Sequence, residues 1–487
     1  MDAQYWADLI RPQYEGARFI VVADLLVAAR SQIEYLLAQG AQRPFVIAGA
    51  RGTGEVPTEA QAEMAVLELD LPADAGSRFM PFLRGLEAAT SNLPADLLAR
   101  VDAWDPEGAA IVLGSDLLGR QSIGGRLSFG SRRDEWIALE NKMTVDRLWD
   151  DAGVRRAPSR ILAIESSGLA AAAVELDWGH GTVWVGDNRE GWHGGAEYLR
   201  WVRRPRDAAL AYRFLRAHCD QVRVMPFLAG VPCSIPGMVF DDAVIAVRPI
   251  EMLVLAGEGA TQLKYVGTGS FWDPPPAERR EMRGIARRVG HLLGADASFR
   301  GIFTVDGVMT RSGFLPTELN PRFGAGLSRA VGGLEGLPLL GLHRAVIEGL
   351  QLDYRPADLE SLLVDHADDQ RNAAAFYQVP ELPETEFEMS LDITEDGAAV
   401  VEDAASGNVS LSWGRGTVGG AVVVRLNAAR VQRGPSVAPR GCRPDSCGCP
   451  ESPSTPRARS PCPRCEWCSA RFCGYGRTQA PPGRRTA

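Results

Sequence analysis

Apolar and polar positions fall into two alternating periods along the chain. Residues 19–29, "FIVVADLLVAA", open as an almost unbroken apolar run of the kind a strand buried on both faces requires. A helical pattern follows in "LLVAARSQIEYLLAQG", and a second run, "PFVIAGA", ends at Ala50. The order strand, helix, strand predicts a β-α-β opening of parallel-sheet type. "GARGTG" comes next, with glycines at 49, 52 and 54 that do not match the dinucleotide fingerprint. It reads more simply as a strand-to-loop turn than as a phosphate cradle.

Further on, "DEWIALENKMTVDRLWDDAGVRRA" (134–157) predicts one amphipathic helix that stops near Gly153, with Pro158 just beyond. "SRILAIE" has strand character, and residues 170–225 alternate short strands and helices around the glycine-rich "REGWHGGAEYLRW". Residues 222–255 are mostly strand, with turns at Ala229-Gly230 and Asp241-Asp242, an antiparallel signature. A proline-led helix over 274–294, a hairpin over 301–326 and an apolar helix near 335–350 complete the main body. Residues 351–440 read as a smaller appended unit with strands such as "GGAVVVRLNA".

From Gly441 the pattern ends. Seven of the nine cysteines lie there (442, 447, 449, 462, 465, 468 and 473), and no Ile, Leu, Val or Met does. Such a segment cannot bury a core. "CPRCEWC" has the spacing of zinc or iron-cluster ligands but lacks a regular second pair, so residues 441–487 read as a disordered tail without function.

Composition narrows the class. With 487 residues, 45% hydrophobic and 23% charged, the chain has room for two to four folding units. A net charge of −9 argues against nucleic acid as a partner. No apolar run reaches membrane-spanning length, and the amino terminus lacks the basic-then-apolar order of a secretory signal. A cytoplasmic enzyme is the expectation. Among 52 basic residues only Lys142 and Lys264 are lysines. Either arginine-biased coding left them by chance, or a compact ammonium is needed there, more so for Lys142.

The hairpin "GIFTVDGVMTRSGFLPTELNPRFGAG" carries the chemistry. Regular pairing about a tip near Ser312 sets Asp306 opposite Glu318, and Asn320 shares that face. Opposed strand residues have Cβ atoms about 4.5–5.5 Å apart, so two carboxylates there need a cation or a shared proton. Asn320 adds a neutral oxygen, and Mg²⁺ takes oxygen ligands. Pro316 fits this register only on an edge strand or at a bulge. Arg322 follows Pro321, and a fixed guanidinium beside a metal-bound polyphosphate completes a charge clamp for phosphoryl transfer.

These residues resemble the ATP-grasp superfamily over about residues 20–350. The likeness rests on "VDG…TELNPRFGAG", on "NKMTVDRLWDDAGVRRAP" and on the glycine-rich loop, in the superfamily's order. Within it, "VMPFLAGVPCSI", "VRPIEMLVL" and "FTVDGV…GFLPTELNPRFGAGL" look most like peptide ligases of the pheganomycin type. The resemblance implies an α/β plus α+β architecture: an N-terminal Rossmann-like unit (1–135), an ATP-grasp unit (136–350) with a lid at about 155–223, and a small C-terminal domain (351–440). ATP would lie between two α+β subdomains with two Mg²⁺ ions. A carboxylate would become an acyl phosphate that an amine then attacks.

Carried over by position, the resemblance implies that Asp306, Glu318 and Asn320 hold magnesium. Arg322 would stabilise the transferring phosphoryl group, and Lys142 would touch ATP phosphate. Gly191, Gly194 and Gly195 would form the phosphate-covering loop, and Val224, Met225, Pro226 and Phe227 the linker whose backbone reads adenine. Two features depart from the pattern. The strand before the glycine loop, "TVWVGDN", lacks a lysine, and "GVPCSI" after the linker lacks a ribose-binding glutamate. His193 reads as a solvated loop residue or a phosphate contact. Arg248 and Glu251 read as substrate ligands or a structural salt link. Small-molecule carboxylate and amine or peptide substrates are implied, with no nucleic acid or membrane partner, and a homodimer is compatible. The competing readings are biotin-carboxylase-like carboxylation through carboxyphosphate, and a non-catalytic nucleotide-binding protein.

Overall fold

The computed structural model describes residues 2–426, apart from 72–78, 192, 257–260, 332–333, 335, 380–383, 395–396, 402–406 and 418. The cysteine-rich tail expected to be disordered lies outside the described residues.

The opening β-α-β unit forms as its pattern predicts. Strands Phe19–Leu25 and Phe45–Ala50 flank helix Arg30–Ala38 and pair in parallel, Ile20 beside Phe45. Glu63–Val66 and Ile111–Leu113 extend a four-stranded sheet in the order 63–66, 45–50, 19–25, 111–113. Both faces of the two central strands are covered, which is why Phe19–Ala23 and Phe45–Ala50 are apolar throughout. The "GARGTG" segment is a turn packed on the C-terminal strands, where Thr53 Oγ1 donates to the Arg415 carbonyl at 2.9 Å.

The stretch 134–157 is not one helix. Helix Asp134–Ile137 runs into a 3₁₀ turn, Ala138–Glu140, and helix Val145–Asp151 starts afresh. Asn141 makes the break: its side-chain oxygen accepts from Met143 N–H at 2.9 Å, a local bond that competes with the helical one. The expected stop at Gly153 does form. Gly153 is left-handed, with Val154 N–H donating to the Trp149 carbonyl at 2.8 Å and Gly153 N–H to that of Asp150 at 3.0 Å.

A second four-stranded, antiparallel sheet contains Arg160–Ala163, Gln221–Pro226, Thr182–Gly186 and Leu199–Val202, in that order. Helices Ser166–Leu176 and Pro205–His218 cover one face through Leu169, Trp184, Leu215 and Val222. The other face turns Val183, Val185 and Met225 toward Leu315 of the hairpin. Arg223, only 1% exposed, makes a bidentate pair with Asp146 at 3.0 and 2.6 Å, which ties this unit to helix Val145–Asp151.

The large sheet has eleven strands, beginning 313–320, 301–310, 231–239, 250–256, 263–269. Helix Pro276–Asp296 packs on one face through Met282, Ile285 and Val289 against Cys233, Ile235, Phe303 and Val305. The appended C-terminal strands are continuous with this sheet, since Ala373–Val379 pairs with Leu263–Gly269. Helix Pro356–Asp369 likewise joins the core shared with the parallel unit, through Leu359, Leu363 and Ala367.

Candidate functional site

The hairpin strands, Gly301–Thr310 and Gly313–Asn320, do set Asp306 opposite Glu318, though by a different route from the regular register expected. The turn is a two-residue one, Arg311-Ser312, which alone would bring Thr317 opposite Asp306. A bulge intervenes: Gly307 faces Pro316, Asp306 faces Glu318, and Thr317 is the extra residue. Pro316 is accommodated because its strand lies at the sheet edge and beside this bulge.

Alternation then sorts the side chains. Glu318, Asp306 and Ser234 are successive partners across three strands and share the face opposite helix Pro276–Asp296. Ser234 Oγ donates to Asp306 Oδ1 at 2.5 Å, and Asn320 Nδ2 to Asp306 Oδ2 at 2.8 Å. Arg322 Nη2 donates to Asn320 Oδ1 at 2.7 Å, while its Nε reaches Glu140 Oε1 at 3.1 Å. Glu140 is buried and also pairs with Arg132.

Lys142 lies in the break between helices, and its buried ammonium bonds Glu318 Oε1 at 3.0 Å and the His193 carbonyl at 3.3 Å. It joins the hairpin to the glycine-rich loop. Lys264, by contrast, sits on the surface over the Tyr377 ring.

Lys142 pairs with Glu318, but for Asp306 the nearby charges do not offset burial and the facing acid. Burial and then the neighbouring Glu318 push Asp306 up to about 6, against smaller lowering influences from Ser234 and Arg322. A divalent cation would relieve this repulsion. Two carboxylates and a carboxamide suit Mg²⁺, which keeps waters and substrate phosphates as its remaining ligands. Among the described residues no three His, Cys, Asp or Glu side chains gather as an all-protein cage. The donor set therefore fits magnesium carried in with a phosphate rather than a closed structural metal site.

The glycine loop lies against this cluster. Gly191 and Gly195 are left-handed, with φ of 92° and 61°. Gly194 accepts from Glu197 N–H at 3.2 Å. His193 is not a solvated loop residue: it is 3% exposed, and Nε2 lies 3.1 Å from the carbonyls of both Gly186 and Asp187. Burial, then the Lys142 charge, depress it to about 3, so the ring is neutral and its Nε2–H anchors the loop.

The linker expected at 224–227 is strand as far as Pro226, because residues 224–226 pair with Thr182–Trp184. Val224 points into the core beneath helices Ser166–Leu176 and Pro205–His218, and Met225 packs with Val183, Val185 and Leu315. Phe227 stacks on Trp201, with ring centroids 4.2 Å apart.

Arg248 and Glu251 are not brought to the site. Glu251 pairs with Cys233, on the helix-covered face, and its carboxylate accepts from Phe271 and Trp272 N–H at 3.0 and 2.9 Å. Arg248 is 1% exposed and pairs with Asp273 at 2.6 Å and with Asp368. The salt-link alternative describes Arg248, and a backbone-clamping acid describes Glu251.

Sequence reasoning passed over Glu140, Arg132 and Ser234. Ser234 was in principle accessible, since strand alternation selects one residue opposite Asp306. The two others required knowing where the chain breaks before Lys142.

This arrangement, with a parallel unit, a second four-stranded antiparallel sheet and a large antiparallel sheet that meet at one acidic hairpin, is the ATP-grasp fold. It is shared with pyruvate carboxylase of Rhizobium etli at a TM-score of 0.50 and 16% identity, over 85% of this chain and 36% of that one. The biotin carboxylase domain of Hydrogenobacter thermophilus 2-oxoglutarate carboxylase, solved with MgADP and bicarbonate, superposes at 0.49, with 11% identity over 83% of this chain and 85% of that one. Carboxyaminoimidazole ribonucleotide synthase of Aspergillus clavatus, solved with ATP, gives 0.48 and 12% over 86% and 94%. No protein-family model matches the chain, and no curated protein matches it in sequence.

Proposed function

We infer that this protein is an ATP-dependent ligase that activates a carboxylate as an acyl phosphate and joins it to an amine, with an amino acid or peptide among its substrates. The observation that carries the reading is the facing pair Asp306 and Glu318, with Asn320 and Arg322 within hydrogen-bonding reach along the same ribbon. Asp306, Glu318 and Asn320 would hold magnesium, and two ions are expected. When bound, magnesium supplies charge neutralisation for the phosphates.

The chain's own groups do the remainder. Lys142 exchanges its contact with Glu318 for a phosphate oxygen. Gly191, Gly194 and Gly195 admit backbone N–H groups close to phosphate, and His193 fixes the base of that loop. Val183, Val185, Met225 and Leu315 give an apolar slot for a flat base, with the backbone of Met225 to Phe227 at its edge. Arg322 faces the transferring group and stabilises its charge. A closed loop over the site keeps water from the acyl phosphate.

Carboxylation through carboxyphosphate uses the same first step and is the second reading, favoured by the fold shared with pyruvate carboxylase. One screen separates the two. ADP and phosphate release is measured with pairs of amino acids and short peptides, and separately with bicarbonate and biotin, with mass detection of product. The ligase reading expects release that requires both an acid and an amine, and a condensed product. Release that requires bicarbonate overturns it. Asp306→Asn is expected to lower turnover by at least a hundredfold.

A further inference from the structure

The short segment Glu140-Asn141-Lys142 grips the acidic ribbon twice, with opposite charges. Lys142 holds Glu318, and Glu140 holds Arg322, four residues further along the chain. Glu140 closes the 3₁₀ turn Ala138–Glu140, and Asn141 is extended, with φ of −66° and ψ of 115°, so residues 140 and 142 face the same neighbour.

Arg322 carries five N–H donors in one plane. Nε donates to Glu140 Oε1 at 3.1 Å and Nη2 to Asn320 Oδ1 at 2.7 Å, so two acceptors fix that plane. Among the described residues Nη1 takes no hydrogen bond, and 16% of the side chain stays exposed. Glu140 is only 3% exposed. Its Oε1 also accepts from Arg132 Nη2, while its Oε2 is sealed from solvent without a partner. Burial depresses Arg132 to about 10, with Glu140 opposing the fall and Arg322 adding to it. Two guanidinia thus meet over one carboxylate, and without it they repel. Desolvation offsets much of the attraction in such a buried cluster, so stability is a poor reason for it. Direction is a better one.

We propose that Glu140 is a positioning residue: it holds the Arg322 guanidinium in the orientation that meets the transferring phosphoryl group. The assignment rests on the ATP-dependent reading and deepens it. Arg322 bonds Asn320, and Asn320 bonds Asp306, so the orientation set by Glu140 is tied to the acid expected to hold magnesium. A charge acting only through space has the opposite sign. Removing the negative charge of Glu140 makes the site more positive and favours the more anionic nucleotide. Removing the bond that orients Arg322 disfavours it.

The test is calorimetric titration of the full-length protein, in excess Mg²⁺, with ADP and with the β,γ-imido analogue of ATP. The unsubstituted protein is expected to bind the analogue at least tenfold more tightly than ADP. Glu140→Gln and Arg322→Lys are each expected to lower that preference at least fivefold, as loss of a charge-assisted bond to phosphate does. ADP affinity should stay within twofold in both, which also reports that they are folded. The double variant is expected to lose no more than Arg322→Lys alone, because Glu140 acts through Arg322. A preference undiminished or increased in Glu140→Gln, equal weakening of both nucleotides, or additive losses in the double variant overturns the positioning role. Equal affinity for the two nucleotides in the unsubstituted protein overturns it too, since Arg322 then meets no third phosphate. Failure of ADP itself to bind would instead sink the nucleotide reading, so the two failures are distinguishable.

Discussion

Lys142 and Asp24 show how single side chains here are held away from their most stable pairing. Lys142 is one of two lysines in the chain and the only one that is buried, where it neutralises Glu318 but leaves Asp306 dependent on neutral donors. Asp24 is the more costly residue. Its native carboxyl holds a proton up to about pH 6, well above the ordinary 3.8, so the folded state binds that proton more tightly than the unfolded chain. The folded state therefore has this contribution in full below about pH 4 and loses it as pH rises toward 6. Asparagine mimics the protonated acid. Asp24→Asn is expected to raise stability at pH 7.5, by at most about 3 kcal/mol, and to leave it unchanged near pH 4. Chemical denaturation at the two pH values checks this, and equal effects at both would show that the Asp24 charge carries no penalty.

The ribbon over 301–320 shows what the sequence makes legible and what it hides. Apolar alternation places both strands, and the facing of two acids is readable from their spacing. The bulge at Thr317 is only half legible: Pro316 asks for an edge strand or a bulge without saying which, and a regular hairpin with a shifted tip gives the same pair. Gly307 is the nearest local sign: an added Cβ would lie 2.3 Å from the Leu315 carbonyl oxygen and 2.8 Å from the Phe314 ring. Gly307→Ala is expected to cost about 1–3 kcal/mol by forcing the strands apart beside the bulge. Thermal unfolding measures that loss, and an unchanged midpoint would mean that the close approach is not needed. The glycine loop and the two interrupted helices around Lys142 follow the same rule. Their existence is legible, but their boundaries depend on side-chain-to-backbone bonds such as that of Asn141, which compete with propensity on nearly equal terms.

Across the whole molecule the site exists only because three units converge on it. The second four-stranded sheet is fixed to the central body by the bidentate pair of Arg223 and Asp146. The parallel unit is fixed by Gly130, whose N–H donates to Glu348 at 2.7 Å and whose missing side chain makes room for Arg344. Contacts of this range cannot be read from spacing, which is why Glu251, on the expected strand, and Arg248, expected on it but lying just before it, both point away from the site unannounced. Arg223→Ala should leave Asp146 without its bidentate partner and destabilise the fold by about 3–5 kcal/mol, measured by denaturant unfolding. A loss below about 1 kcal/mol would mean that this sheet is held by its apolar contacts alone.

The acidic ribbon is proposed to grip a magnesium–nucleotide complex. Calorimetric titration with ADP, in excess Mg²⁺ and again in EDTA, tests it most directly when the unsubstituted protein is compared with Asp306→Asn and Glu318→Gln. Tight binding that needs Mg²⁺ and falls at least tenfold in each variant is expected. ADP binding of equal strength in EDTA, or undiminished in both variants, would contradict it.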